Sequence, residues 1–259
     1  MTSNVLIIGA TRGLGASLTK LYSAKPSTTV FATTRSSDPP SGHNSGNENV
    51  NWLAGIDVAS PDVGQKLIAQ LPSSTKLSVV IISAGYFGFE TFDNPDWEKE
   101  LKMYTTSAIG PVFVVHHLVH AGHLSHGSKV ILVSSESGSI TLRHEKEGGG
   151  NYGHHASKAA LNMVGKLLSL DLKEKGIAVG LVHPGFMRTE MTKNVGFDKY
   201  WDDGGAVTPD QAAESLATFI EGFDLSKTGQ YWAPRGPRDI GTAEVVLGKG
   251  LPTPLQLPW

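Results

Sequence analysis

The 259-residue chain contains no cysteine. Disulfide bonds, thiolate metal ligands and cysteine nucleophiles are therefore all excluded. Charged residues make up only 18% of the chain, and 22 Lys and Arg against 24 Asp and Glu leave a net charge of −2. Proteins that bind nucleic acid are usually basic, so we expect no nucleic-acid partner. No cluster of histidine and acidic residues is expected to hold a metal.

Long hydrophobic runs are also missing. No apolar stretch approaches the roughly 20 residues that cross a bilayer. The first four residues carry no basic side chain, and the apolar run that follows them is too short for the core of a secretory signal. We therefore expect a soluble cytoplasmic protein without a membrane partner.

Short apolar runs alternate with longer segments of helical spacing. The six runs predicted as strands cover residues 4–9, 29–34, 50–53, 77–83, 129–134 and 177–183. They are continuously apolar, which is typical of parallel strands covered on both faces. The alternation predicts one α/β domain, residues 1–259, with a doubly wound, Rossmann-like parallel sheet and helices on both faces. The loops predicted between these elements are 36–49, 136–153 at the active site and a substrate lid at about 186–207.

A glycine-rich loop joins the first strand to the first helix. Gly9, Gly13 and Gly15 are spaced Gly-x-x-x-Gly-x-Gly. Glycines let a backbone turn sharply and approach a ligand closely, and the helix N-terminus offers free N–H groups to a phosphate. A loop of this kind directly after an N-terminal strand predicts a dinucleotide site. The residues of this loop that we predict to contact the dinucleotide are Gly9, Thr11, Arg12, Gly13, Leu14 and Gly15.

This spacing resembles that of the short-chain dehydrogenase/reductase family, and further motifs follow in the family's order. They are Asp57-Val58, Ser83-Ala84-Gly85, Ser134-Ser135, the segment 156–162 around Lys158, and 183–189. The resemblance implies a Rossmann fold and a nicotinamide cofactor. The cofactor contacts that it implies beyond the glycine loop are Asp57, Val58, Ala84, Gly85, Lys158, Pro184, Gly185, Met187 and Thr189. It also implies an active-site serine at Ser135, and a homodimer or homotetramer built on the helices at about 95–122 and 154–175.

The second predicted strand ends in Thr33-Thr34-Arg35, with no acidic residue before Asp38. An acidic residue at this point would select NAD through the ribose hydroxyls. Arg35, together with Arg12 in the glycine loop, suits the 2′-phosphate of NADPH instead. We therefore expect NADP(H), although an Asp38 that folds back would admit NADH.

The sequence departs from the family at the catalytic helix. The family uses Tyr-x-x-x-Lys, with the tyrosine as proton donor, but the residue four before Lys158 is His154. Tyr152 lies six residues before Lys158 and therefore off the same helix face. Ser107 occupies the place of the family's supporting asparagine. The candidate catalytic residues are Ser135, His154, Lys158, Ser107 and Tyr152.

Three interpretations of His154 follow. In the first, which we favour, His154 or Tyr152 replaces the tyrosine and the protein reduces a carbonyl or conjugated double bond of a small molecule. The large side chains of Phe186, Tyr200 and Trp201 favour a bulky, aromatic substrate. The C-terminal tail resembles those of short-chain reductases from fungal natural-product pathways, which would imply a natural product. In the second, His154 is the base of an isomerase, dehydratase or cyclase. In the third, chemistry is lost and the protein is an NADPH-binding scaffold.

The charge of Lys158 is expected to lower the pKa of His154, which leaves the imidazole mostly neutral near pH 7. If the imidazolium is nevertheless the proton donor, turnover should rise as the pH falls toward the His154 pKa.

Overall fold

The computed structural model describes residues 3–39 and 49–259. The first part alternates strands and helices: β1 (Ser3–Ile8), α1 (Gly13–Ser23), β2 (Thr28–Thr33), β3 (Val50–Leu53), α2 (Val63–Gln70) and β4 (Val79–Ile82). The second part contains α3 (Trp97–Tyr104), a π-helical turn (Thr105–Ile109), α4 (Gly110–His120), β5 (Lys129–Val133), α5 (Tyr152–Lys173) and β6 (Ala178–Val182). The last part contains α6 (Glu190–Asn194), α7 (Pro209–Glu221), β7 (Tyr231–Ala233), α8 (Ala243–Leu247) and β8 (Leu255–Gln256).

The strands form one sheet in the order β3-β2-β1-β4-β5-β6-β7-β8. β1 to β7 run parallel to their neighbours, and β8 pairs antiparallel with β7. The doubly wound sheet predicted from the sequence is confirmed, with one antiparallel strand added at its edge. The strand order reverses between β1 and β4, which opens a crevice at their carboxyl ends.

Two layers of helices cover the sheet. On one face, α1 and α7 pack together and bury Leu14, Leu18 and Leu216. On the other, α2, α4 and α5 bury side chains such as Leu67 and Leu118. The middle strands are therefore covered on both sides, and every residue of β4 and of β6 is buried. This explains why their sequences are continuously apolar.

The predicted loops contain short ordered elements. Residues 136–153 include two 3₁₀ turns, Glu136–Gly138 and Glu145–Glu147, before α5 begins at Tyr152. The stretch 186–207 includes α6 and a further 3₁₀ turn, Asp198–Tyr200. Most of the predicted loop 36–49, namely residues 40–48, lies outside the described residues. No helix within residues 3–39 and 49–259 has both the length and the apolar character needed to cross a bilayer.

Candidate active site

A cavity of about 1180 Å³ opens at the carboxyl ends of the central strands. The predicted cofactor contacts that line it are Gly9, Thr11, Arg12, Gly13, Leu14, Arg35, Asp57, Val58, Ala84, Gly85, Lys158, Pro184, Gly185, Met187 and Thr189. The predicted catalytic residues that line it are Ser135, His154, Lys158 and Tyr152. The fold therefore brings together residues that are spread over 180 positions of the chain, because parallel strands present their carboxyl ends at one edge.

The glycine loop wraps tightly against the strand beside it. Gly9 has a φ of +85°, and a Cβ on it would lie 2.7 Å from the Cα of Ala84. Gly15 does not line the cavity, and a Cβ on it would lie 2.0 Å from the carbonyl oxygen of Gly9. Gly15 therefore lets α1 start directly against the loop.

The N-terminus of α1 suits an anionic group. Arg12 is the N-cap residue in extended conformation, and its side chain makes no capping hydrogen bond. No acidic residue lies in the first turn of the helix. The first amides of α1 therefore remain available to a phosphate, as helix N-termini favour.

A second, smaller cavity of about 400 Å³ adjoins the end of β2. Arg35, Asp38 and Asp57 are among the residues that line it. Asp38 is thus close to the predicted ribose site, as the NADH alternative requires. Its carboxylate accepts a hydrogen bond from the Ser37 hydroxyl at 3.0 Å. Arg12 instead pairs with the exposed Glu190, at 3.2 Å.

Lys158 is buried on the inward face of α5. Its Nζ donates a hydrogen bond to the carbonyl oxygen of Val133, at the end of β5, at 2.9 Å. Burial lowers the pKa of Lys158 to about 8, because the charged form loses its hydration. The ammonium is therefore anchored beside the strand end and titrates close to neutral pH.

His154 lies one helical turn before Lys158 and stacks on Phe87. Burial, followed by repulsion from Lys158, lowers its pKa to about 3. The predicted direction of this shift and the contribution of Lys158 are confirmed, but burial is the larger cause. Nδ1 of His154 is buried and has no hydrogen-bond partner. The imidazole is therefore neutral near pH 7, so an imidazolium proton donor does not fit this site.

Ser135 follows β5 and faces the cavity. Its Oγ accepts a hydrogen bond from the backbone N–H of Ser137 at 3.2 Å. The hydroxyl of Tyr231, on β7, donates to the carbonyl oxygen of Ser135. Nearby, Ser134 donates to Asn162 on α5 at 2.7 Å. These contacts fix the strand end so that the Ser135 hydroxyl proton is free to donate into the cavity.

Ser107 does not reach the cavity. It lies in the π-helical turn between α3 and α4, where its Oγ is buried without a hydrogen-bond partner, and its neighbour Thr106 lines the cavity instead. Tyr152, the first residue of α5, is 41% exposed and lies at the cavity wall. Tyr152 therefore reaches the cavity from the first turn of α5, although it does not share the helix face of His154 and Lys158.

Aromatic rings lead from the catalytic helix to the predicted lid. Phe87 packs edge-on against Phe197 with ring centroids 5.6 Å apart, and Phe197 packs against Tyr200 at 6.1 Å. We call His154, Phe87, Phe197 and Tyr200 the aromatic row, and all four line the cavity. Phe186 also lines it, whereas Trp201 does not and instead donates to Thr192 at 3.2 Å.

Several cavity residues were not identified from the sequence. Phe87 lies just after the Ser83-Ala84-Gly85 motif, and Asp239 lies beyond the last predicted strand. Arg143, in the predicted active-site loop 136–153, also lines the cavity and pairs with Glu136, and with Glu147 at 3.3 Å. Phe87 and Asp239 meet their partners across 67 and 53 residues, so no local pattern could reveal those contacts.

Comparison with known proteins agrees with this geometry. The family model described as short chain dehydrogenase matches residues 3–199. The chain is 27% identical to 1-hydroxy-2-glutathionyl-2-methyl-3-butene dehydrogenase of Rhodococcus sp. over 88% of this chain and 95% of that protein. It is 26% identical to versicolorin reductase of Emericella nidulans, covering 82% and 79% of the two chains. The structure is similar to NADPH-bound carbonyl reductase from chicken fatty liver, with a TM-score of 0.76, 25% identity, and 90% and 96% of the two chains covered.

Proposed function

The chain belongs to the short-chain dehydrogenase family, and from this premise we propose that it is an NADPH-dependent reductase of a carbonyl group on a small aromatic molecule. The observation that carries the proposal is the single cavity in which the glycine loop and Arg35 adjoin Ser135, His154 and Lys158. The similarity to NADPH-bound carbonyl reductase and to versicolorin reductase supports the direction of the reaction.

The residues present fit NADPH. The Gly9 position leaves no room for a Cβ, the first amides of α1 have no capping side chain, and Arg35 lines the cavity at the end of β2. The helix N-terminus would hold the pyrophosphate. The guanidinium of Arg35 would hold the 2′-phosphate through charge-assisted hydrogen bonds. When bound, the cofactor supplies the hydride that the carbonyl carbon accepts.

Two groups act on the carbonyl oxygen in this proposal. The Ser135 hydroxyl donates a hydrogen bond to this oxygen. Oγ of Ser135 already accepts from the backbone N–H of Ser137, which leaves the hydroxyl proton free to donate. The neutral imidazole of His154 donates a second hydrogen bond. A neutral imidazole remains a donor through one ring nitrogen, and such a donor stabilises the negative charge that develops as hydride arrives.

Lys158 is the source of the proton in this account. With a pKa of about 8, its ammonium releases a proton more readily than an exposed lysine and still carries it at pH 7. Lys158 and His154 lie on one face of α5. Since His154 contacts the substrate oxygen in this proposal, the proton of Lys158 has a short path to the alkoxide. Tyr152, which is exposed at the cavity wall, is the second candidate donor.

The aromatic row favours a planar substrate. Offset and edge-to-face contacts with aromatic rings each contribute about 0.5–1.5 kcal/mol beyond area burial. Phe87 and Phe197 are in direct contact, so a flat ring system that lies against the cavity side of the row meets such contacts along one side. A conjugated or aromatic ketone or quinone is therefore the substrate class that we propose.

The redox-neutral alternative requires His154 to act as a base, and the pKa of its imidazole does not support that role. A base with a pKa of about 3 removes protons poorly at neutral pH. The scaffold alternative is distinguished by turnover, because a scaffold would bind NADPH without consuming it.

We also propose that the chain forms a homodimer or homotetramer through the outer faces of α4 and α5. These helices expose apolar side chains that a monomer would leave in water: Ile109, which precedes α4, Phe113, Met163, Leu167 and Leu170. Exposed apolar side chains concentrated on two helices are what a subunit interface would cover.

The experiment that tests the proposed function is NADPH oxidation at 340 nm with a panel of aromatic ketones and quinones. We expect turnover of at least one member, with the alcohol as product. NADPH binding without turnover of any aromatic or aliphatic carbonyl would favour the scaffold instead.

A further inference from the structure

The loop that follows β6 is held by a residue from a distant part of the chain. The backbone N–H of Phe186 donates a hydrogen bond of 2.5 Å to Oδ2 of Asp239, which lies between β7 and α8. The Asp239 side chain is fully buried. A buried carboxylate that accepts a short hydrogen bond from a backbone amide is a strong anchor, since charged acceptors form the stronger hydrogen bonds.

Gly185 explains how the carboxylate comes so close. Its φ is +111°, and a Cβ at this position would lie 2.6 Å from Oδ2 of Asp239 and 2.9 Å from Cδ of Arg235. The space that any other side chain would need is filled by the Asp239 carboxylate and the Arg235 side chain. The fold of the Pro184–Phe186 turn is therefore built around Asp239.

His183 lies between the same carboxylate and the residues that follow β5. Nδ1 of His183 accepts a hydrogen bond from the backbone N–H of Glu136 at 3.0 Å. The ring proton must then lie on Nε2, which faces Oδ1 of Asp239 at 3.9 Å. Nε of Arg235 lies 3.9 Å from Oδ2 of Asp239. Asp239 is therefore the common neighbour of a cation and of two backbone segments that both line the cavity.

We propose that Asp239 is a positioning residue for cofactor binding. It holds the Phe186 amide so that Pro184 and Gly185 keep the shape against which the nicotinamide binds. This inference rests on the proposed function, because it assumes that NADPH occupies the cavity. Asp239 lies outside residues 3–199, which match the family model.

The test is NADPH binding by the full-length protein, measured by fluorescence titration, with kcat and KM measured in parallel. In Asp239→Ala the Phe186 amide loses its acceptor, and we expect the dissociation constant for NADPH to rise at least about tenfold, as losing a hydrogen bond to a charged group implies. The KM for NADPH should rise with it, while the KM for the carbonyl substrate changes less. Asp239→Asn keeps an oxygen for the amide, so binding within about threefold of wild type is expected.

Arg238→Ala is the matched control, because this neighbouring side chain is exposed and should leave NADPH binding unchanged. Wild-type affinity in Asp239→Ala, or equal weakening in Asp239→Asn and Asp239→Ala, would overturn the inference. If Asp239→Ala does not fold, Asp239→Asn alone decides, since weak binding by this isosteric variant contradicts the acceptor role. Absence of NADPH binding by the wild-type protein would overturn the proposed function together with the inference.

Discussion

The imidazole of His154 lies parallel to the ring of Phe87, with centroids 4.1 Å apart and planes inclined by 19°. The stack holds the imidazole in the cavity wall one helical turn before Lys158, where the family has its catalytic tyrosine. Burial of the ring is the main reason that the pKa of His154 falls to about 3, and repulsion from Lys158 is the next cause. The site therefore combines a neutral imidazole with a buried lysine of unusually low pKa.

The pH dependence of catalysis should follow Lys158 rather than His154. As the pH rises through about 8, Lys158 loses its proton, so kcat should fall above this pH. His154, with a pKa of about 3, stays neutral from pH 5 upward and contributes no change there. The measurement is kcat and kcat/KM between pH 5 and pH 9.5 with NADPH. A rate that rises toward acid pH with an apparent pKa near ~6.5 would show that a protonated histidine acts after all.

Replacing His154 distinguishes its hydrogen bond from its shape. His154→Phe keeps an aromatic ring against Phe87 but removes both ring nitrogens, and we expect kcat to fall by about 100-fold or more, as when a hydrogen-bond donor to a developing oxyanion is removed. His154→Tyr restores a hydroxyl donor and should retain most of the activity. Tyr152→Phe is the companion variant. Full activity in His154→Phe together with a large loss in Tyr152→Phe would move the donor role to Tyr152.

Arg35 should set the preference for NADPH over NADH. Arg35→Ala removes the guanidinium that we propose holds the 2′-phosphate, so the KM for NADPH should rise by about 10- to 100-fold, as expected for charge-assisted hydrogen bonds. The KM for NADH, which lacks this phosphate, should stay within a small factor and serves as the internal control. Steady-state kinetics with both cofactors provide the comparison. An equal change for the two cofactors would place Arg35 away from the 2′-phosphate.

The association state should depend on the exposed face of α5. Leu167 is 53% exposed, and Leu167→Glu places a charge in the middle of the proposed interface, where an unpaired buried charge is costly. We expect this variant to be monomeric in sedimentation equilibrium at concentrations where the wild-type protein is a dimer or tetramer. Thr218→Glu, on the exposed side of α7, introduces the same charge elsewhere and should leave the mass unchanged. A monomeric wild-type protein would contradict the proposed interface.

The sequence predicted the sheet well because its strands are buried on both faces. β3 (Val50–Leu53) was predicted with its observed bounds, and the ends of the other parallel strands up to β6 differ by at most two residues. The glycine loop was predicted because its chemistry is local: three glycines, a strand before them and a helix after them. Gly15 was assigned to the ligand, and its missing Cβ serves the contact with Gly9.

The remaining features depend on contacts that form only in the folded chain. Ser107 aligned with the family's asparagine, but the π-helical turn buries it away from the cavity. The sequence predicted that Lys158 lowers the His154 pKa, but the larger effect, burial beside Phe87, depends on a residue 67 positions away. Asp239 follows the last parallel strand in a segment without periodic pattern, so its contact with Phe186 had no sequence signal.

Transfer of hydride from NADPH to a carbonyl carbon is the central claim, and isotopic labelling tests it most directly. The protein is incubated with the aromatic ketones of the panel, because a secondary alcohol keeps the transferred deuterium on carbon whereas a hydroquinone loses it. NADPH deuterated at nicotinamide C4 is supplied with the label on each face in separate reactions, and the products are examined by mass spectrometry. We expect one deuterium in the alcohol product from one face of the cofactor and none from the other. A new product that carries no deuterium from either face, and that forms equally well without NADPH, would contradict the account and identify a redox-neutral enzyme.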